Sequence, residues 1–140
     1  KKLLDEPPAC KTGMLGTIGY QMGQRFISAS HTTPDALMLA RLIESMDEHD
    51  ITHVVLEVSS HALDQGRVDI LDFDVACFTN LTHDHLDYHK TMENYFKVKE
   101  QLFKSLREDA VAVVNIDSEY GKRLVDSTSA RVVTYGIESP

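Results

Sequence analysis

Apolar residues in this chain fall into short runs separated by amphipathic stretches, and that alternation sets the expected architecture. Gly13 to Tyr20 combines β-forming residues with repeated glycines. Continued through Gln21 to Ser30 with a turn at Gly23, it predicts a strand and a hairpin. Thr32-Thr33-Pro34-Asp35 reads as a helix start: a threonine N-cap, proline at the first helical position and an acid in the first turn. Leu39, Leu42, Ile43 and Met46 then recur at helical spacing, and the pattern fades near Asp50. Ile51 to Val58 is an apolar run suited to a buried strand, Ala62 to Asp72 reads as a loop, and Phe73 to Thr79 is the next strand. Thr91 is placed to cap a helix running to about Arg107. Ala110 to Asn115 is a third strand, Ser118 to Val125 a short helix and Arg131 to Tyr135 a fourth strand. Helices between apolar strands predict βαβ units and a three-layer α/β fold with a mainly parallel sheet. Residues 1–12, charged and carrying Pro7-Pro8, read as a tail or connector, and residues 13–140 as the domain.

Composition narrows the class. A chain of 140 residues is one domain's worth, and 42% hydrophobic with 26% charged residues is ordinary for a globular protein. The net charge of −8 argues against a nucleic-acid partner. No apolar stretch approaches the roughly 18 residues that span a bilayer, and no secretory pattern is present. Cys10 and Cys77 lie far apart without a C-x-x-C, which disfavours a zinc site or a disulfide framework. Cys77, inside an apolar run, reads as a small core residue. The expectation is a soluble, cytoplasmic protein.

The candidate chemistry gathers behind the second strand. His83, Asp84, His85, Asp87 and His89 follow the run ending at Thr79, where an open α/β sheet places its active site. In a loop, alternate residues point the same way, so His85 pairs with His83 or with Asp87 as a co-ligand; the cluster does not choose zinc over magnesium. Glu57 interrupts an apolar strand one residue before its end. It either caps that strand at the surface or serves as a magnesium ligand, since hard cations take carboxylate oxygens. Lys99 stands in the middle of the stripe Met92, Tyr95, Phe96, Leu102, Phe103 and Leu106, whereas Lys97 and Lys104 fall off that face. Its ammonium either snorkels to the edge or is buried, where it loses its proton and can react. No G-x-x-x-x-G-K-[ST] phosphate loop occurs in the sequence.

Thr17 to Tyr20, Ser30 to Pro34, Glu57 to Arg67, Phe78 to Leu81, Asp84 to His89 and Thr91 to Phe96 together resemble the central domain of Mur ligases of the MurE type. The resemblance runs from about Gly13 to the end of the sequence. Its most specific strings are E-V-S-S-H-x-L-x-Q-x-R and D-H-L-D-Y-H. It implies the P-loop NTPase-like fold of that domain, here without its phosphate loop. Such ligases use ATP to phosphorylate a substrate carboxylate, and an amine then displaces the acyl phosphate to form an amide. The implied partners are UDP-MurNAc-dipeptide, ATP and an amino acid, diaminopimelate or lysine. The implied setting is peptidoglycan synthesis in the cytoplasm, by a full-length protein that is a monomer.

The same resemblance assigns residues. It makes Glu57, His85 and Lys99 catalytic magnesium ligands, with Lys99 carboxylated on its side-chain nitrogen. Thr32, Thr33, Ser59, Gln65 and Arg67 match positions that hold the UDP-MurNAc-dipeptide, and Asn80 a position that binds the nucleotide. His61 lies in the same motifs. His83 stands where many relatives have arginine, so it is expected beside the site and not as a ligand. The family's G-T-N-G-K-T-T segment, a downstream asparagine-rich segment and a C-terminal amino-acid-binding domain are missing from the sequence. The expectation is therefore a partial central domain, inactive alone. Three rivals remain: another Mur-type ligase, a non-catalytic module that binds the UDP-sugar-peptide, and a free-standing metal hydrolase built on the histidine cluster.

Overall fold

A computed structural model describes residues 11–137. The expected connector, and Cys10 with it, lies outside them except for Lys11 and Thr12. The chain divides into two compact units that meet at Ile70 and Leu71.

The first unit holds strands β1 (Thr12–Gly16), β2 (Gly19–Met22) and β3 (Arg25–Ile27), helix α1 (Ala36–Glu48), strand β4 (His53–Leu56) and helix α2 (Ser60–Asp64). Its sheet has the order β3-β2-β1-β4. The expected hairpin is a three-stranded antiparallel meander. β1 meets β2 with Gly16 opposite Gly19, so Thr17 and Ile18 form the turn at the end of the sheet. β4 joins the other side of β1 in parallel, Leu15 beside Leu56. Leu15, Tyr20, Leu39, Leu42, Met46 and Ala62 are buried, which bears out the helical stripe of α1.

Three expectations in this unit are corrected. Asp35, not a threonine, caps α1: its carboxylate accepts from the Met38 N–H at 2.9 Å, and the Thr33 hydroxyl is engaged elsewhere. The segment after Ser59 is not all loop, because Ser59 caps the short helix α2 by accepting from the Ala62 N–H at 3.2 Å. β4 is not a fully buried strand. Among the described residues it pairs with β1 alone, and Val54 and Val55 are exposed at the edge of the sheet.

The second unit holds β5 (Val75–Phe78), the single-turn helix α3 (Leu86–His89), α4 (Met92–Lys104), β6 (Val111–Asn115), α5 (Glu119–Val125) and β7 (Arg131–Tyr135). Its three strands run parallel in the order β5-β6-β7, as the alternation of apolar runs and helices predicts. Ala76, Phe78, Ala112 and Val114 from the strands pack with Tyr95, Phe96, Phe103 and Leu106 from the α4 segment and Leu124 of α5. Burying Phe96 alone contributes about 1.5–3 kcal/mol. Thr91 caps α4 by accepting from the Asn94 N–H at 3.1 Å. The helix ends at Lys104, a turn short of the expected Arg107. Cys77 is exposed, contrary to expectation: β5 is buried on one face only, where Ala76 and Phe78 point.

Candidate functional site

Six residues singled out in the sequence converge in the first unit, around the end of β4. The backbone pairing with β1 continues to Glu57, whose N–H donates to the Leu15 carbonyl at 2.8 Å. This sets the Glu57 side chain beside Gly16, where a Cβ would lie 3.0 Å from Oε2. The missing side chain lets the carboxylate reach the turn, and there the Thr17 N–H and hydroxyl each donate to Oε2 at 3.0 Å. The Thr17 hydroxyl also lies 2.9 Å from that of Thr32.

Thr33 is fully buried and ties the centre together. Its hydroxyl donates to the Glu57 carbonyl at 2.7 Å and accepts from the Ser59 N–H at 2.9 Å. The Thr33 carbonyl in turn accepts from Arg67 Nη1 at 3.1 Å. Arg67 Nε and Nη2 both donate to the Gln65 side-chain oxygen, so the guanidinium is gripped on two sides. A guanidinium carries five N–H groups. These bonds use one on Nε, one on Nη2 and one on Nη1, which leaves one N–H on each terminal nitrogen. Among the described residues no carboxylate pairs with Arg67. Two N–H donors left on one held guanidinium suit a carboxylate or phosphate.

The histidine loop belongs to the second unit, and its histidines do three different things. His83 is exposed. His85 sits in the left-handed region at φ 54°, a conformation that costs a non-glycine residue on the order of 1 kcal/mol. Its N–H donates to Asp84 Oδ1 at 2.7 Å, and its ring meets the Tyr95 ring edge-on at 5.9 Å between centroids. His89 is buried and stacks flat on Tyr95 at 4.9 Å and 7°. Among the described residues, no three His, Cys, Asp or Glu side chains form a metal-holding group. Asp87 and His83 are therefore not joined to His85 as a ready cluster. Asn80 is exposed just past β5, and its side-chain oxygen accepts from the Leu81 N–H at 2.8 Å. Lys99 is half-buried on α4 one turn after Tyr95, while Lys97 and Lys104 are exposed, as the helical pattern predicts, and Lys104 reaches the partly covered Glu100 at 2.6 Å. His61 lies on α2, half-buried.

Magnesium asks for oxygen ligands in a near-octahedral set. Glu57 fits: both of its hydrogen bonds fall on Oε2, so the carboxylate is anchored by one oxygen with Oε1 outside those bonds. His85 offers an imidazole nitrogen, a single donor beside the oxygens that magnesium prefers. Lys99 as an ammonium has donors only and fits only after carboxylation, which supplies oxygens. Two contributors escaped the sequence reading. Thr17 is betrayed only by the register that sets Gly16 beside Glu57, and Tyr95 read as plain core although it contacts both His85 and His89.

Comparison with known proteins bears on what this arrangement belongs to. Residues 1–140 match the family model of the Mur ligase middle domain. A UDP-N-acetylmuramoyl-L-alanyl-D-glutamate–2,6-diaminopimelate ligase from Fusobacterium nucleatum is 46% identical over 142 residues, covering 99% of this chain and 29% of that protein. The ligase of the same name from Bacillus cereus is 48% identical over 135 residues, covering 92% of this chain and 28% of its own length. A solved structure of a ligase with this name superposes with a TM-score of 0.80 at 33% identity, over 92% of this chain and 27% of that one. The chain thus spans less than a third of the length of these relatives. The chain belongs to the Mur ligase family and corresponds to its middle domain.

Proposed function

We propose that this segment is the substrate- and magnesium-holding part of an ATP-dependent ligase of the MurE type. The full-length protein adds the third amino acid to UDP-MurNAc-L-Ala-D-Glu in cytoplasmic peptidoglycan precursor synthesis. The names of its relatives favour diaminopimelate over lysine as that amino acid. One observation carries the reading: Thr33, Glu57, Ser59, Gln65 and Arg67 form one hydrogen-bonded assembly that holds the Arg67 guanidinium and leaves two of its N–H groups outside these bonds. An anionic substrate group, carboxylate or phosphate, is the natural partner of those N–H groups.

The residues divide the work. Arg67 fixes the anion, and Gln65 and the Thr33 carbonyl keep its fork from turning. Thr33 acts on the substrate through Arg67, because its own hydroxyl is committed inside the assembly. Thr32, half-buried, offers its side chain to the ligand. In the reaction the ATP γ-phosphoryl group moves to a substrate carboxylate oxygen, releasing ADP. The incoming amine then forms the C–N bond as phosphate leaves with its oxygen and the nitrogen loses a proton. Glu57 in the first unit, and His85 and carboxylated Lys99 in the second, are the residues that would hold magnesium, whose charge would offset that on the transferring group. Carboxylation itself joins the neutral Lys99 amine to carbon dioxide with loss of one proton; a carbon-dioxide adduct on the Lys99 peptide in bicarbonate buffer would support it. The 140 residues hold no phosphate loop, so ATP's phosphates are cradled outside them and these residues alone do not turn over ATP.

The deciding experiment supplies the full-length protein with UDP-MurNAc-L-Ala-D-Glu, ATP, magnesium and either diaminopimelate or lysine. The expected result is an ATP-dependent amide product with diaminopimelate that is lost in Arg67→Ala. Failure to join either amino acid would overturn the proposal.

A further inference from the structure

We propose that Thr17 is a positioning residue that acts on two groups at once: it clamps the Glu57 carboxylate and fixes the Thr32 hydroxyl as a hydrogen-bond acceptor toward the substrate. This rests on the reading above, in which Glu57 holds magnesium and Thr32 contacts the UDP-sugar-peptide.

The number of hydroxyl protons fixes the direction of each bond. The Thr17 hydroxyl has one proton, and it goes to Glu57 Oε2, an acceptor, at 3.0 Å. In the 2.9 Å contact between the two threonines, Thr17 can then only accept, so the Thr32 hydroxyl donates to it. Thr32 has no second proton. What it turns toward a ligand is a lone pair, which selects an N–H or O–H of the substrate and rejects a bare carboxylate or phosphate oxygen at that point. The anion is thereby left to Arg67, the hydrogen-bonding edge with the opposite character. The Thr17 N–H makes the same contact with Oε2, so the hydroxyl adds orientation beyond what the turn backbone provides. Thr17 is exposed in a two-residue turn, so losing its hydroxyl does not open the core.

The test uses the full-length ligase with Thr17→Val, Thr17→Ser and Glu57→Gln. Manganese, another hard divalent cation, is titrated into the protein alone and followed by its electron paramagnetic resonance signal; KM for UDP-MurNAc-L-Ala-D-Glu is measured separately. Thr17→Val should weaken manganese binding about tenfold or more, the usual effect of removing a group that orients a ligand. It should also raise KM about three- to tenfold, the scale of one lost hydrogen bond. Thr17→Ser, which keeps the hydroxyl, should restore both. Wild-type manganese affinity and KM in Thr17→Val would overturn the inference; a changed affinity with an unchanged KM would overturn its Thr32 half. Glu57→Gln separates the two levels. If it binds manganese normally, the reading of Glu57 as a ligand fails; if it does not and Thr17→Val does, only the present inference fails.

Discussion

The Thr33 hydroxyl donates to the Glu57 carbonyl at 2.7 Å, across 24 positions of sequence, and so locks the segment before α1 to the end of β4. The same oxygen accepts from the Ser59 N–H at 2.9 Å. Three other candidate residues of the first unit bond to Thr33 directly. Thr32 precedes it, Glu57 and Ser59 are its partners, and Arg67 grips its carbonyl. Thr33→Val keeps the shape and leaves the Glu57 carbonyl and the Ser59 N–H without that partner. The expected loss is about 1–3 kcal/mol in urea denaturation, with Thr33→Ser close to wild type. Equal stability of the valine and threonine proteins would mean this lock is not structural.

Gly121 gives a second stability prediction, in the other unit. A Cβ there would lie 1.9 Å from the Asn115 carbonyl oxygen, because α5 crosses the end of β6 in backbone contact. Alanine in a helix interior ordinarily gains about 1 kcal/mol over glycine. Here the clash with backbone outweighs that gain, and Gly121→Ala should lower stability by about 1–3 kcal/mol. A higher melting temperature in the alanine variant would contradict the packing described.

Much of this was legible in the sequence, and the exceptions have physical causes. Strand β7 and the Thr91 cap appear where the apolar run and the N-cap chemistry place them. The stripe of α1 is buried as its spacing predicts, because helical period is a local property. Local chemistry offers both Thr33 and Asp35 as caps for α1, and the long-range bond of Thr33 to Glu57 removes it from competition. β4 and Cys77 were expected in the core because an apolar run does not reveal how many neighbours a strand has. The substrate-site residues came from motif resemblance. Their joining through Thr33 is tertiary and has no periodic signature. The role of Thr17 depends on strand register, which composition does not encode.

Glu100 links the second unit to pH. It accepts from Lys104 Nζ at 2.6 Å and Ser127 Oγ at 2.7 Å. Burial raises its carboxyl, the two hydrogen bonds and the charges of Lys104 and Arg123 together outweigh that, and the net shift is below the ordinary value. Glu93, held by the Arg123 hydrogen bonds, shifts the same way. A carboxyl whose folded value is depressed adds stability above its unfolded value and loses it as pH falls through the folded one. Stability should therefore decline as pH drops below the ordinary carboxylate range, and Glu100→Gln should flatten the decline in an acid titration followed by circular dichroism. An unchanged acid limb in that variant would remove Glu100 from the explanation.

KM for UDP-MurNAc-L-Ala-D-Glu in the full-length ligase carrying Arg67→Lys decides whether Arg67 binds the substrate anion. Lysine keeps the positive charge and loses the planar fork held by Gln65 and the Thr33 carbonyl. The expected KM is raised about tenfold or more, with the fold retained. A KM equal to wild type would mean that the guanidinium binds no substrate anion, and the site would have to be sought elsewhere.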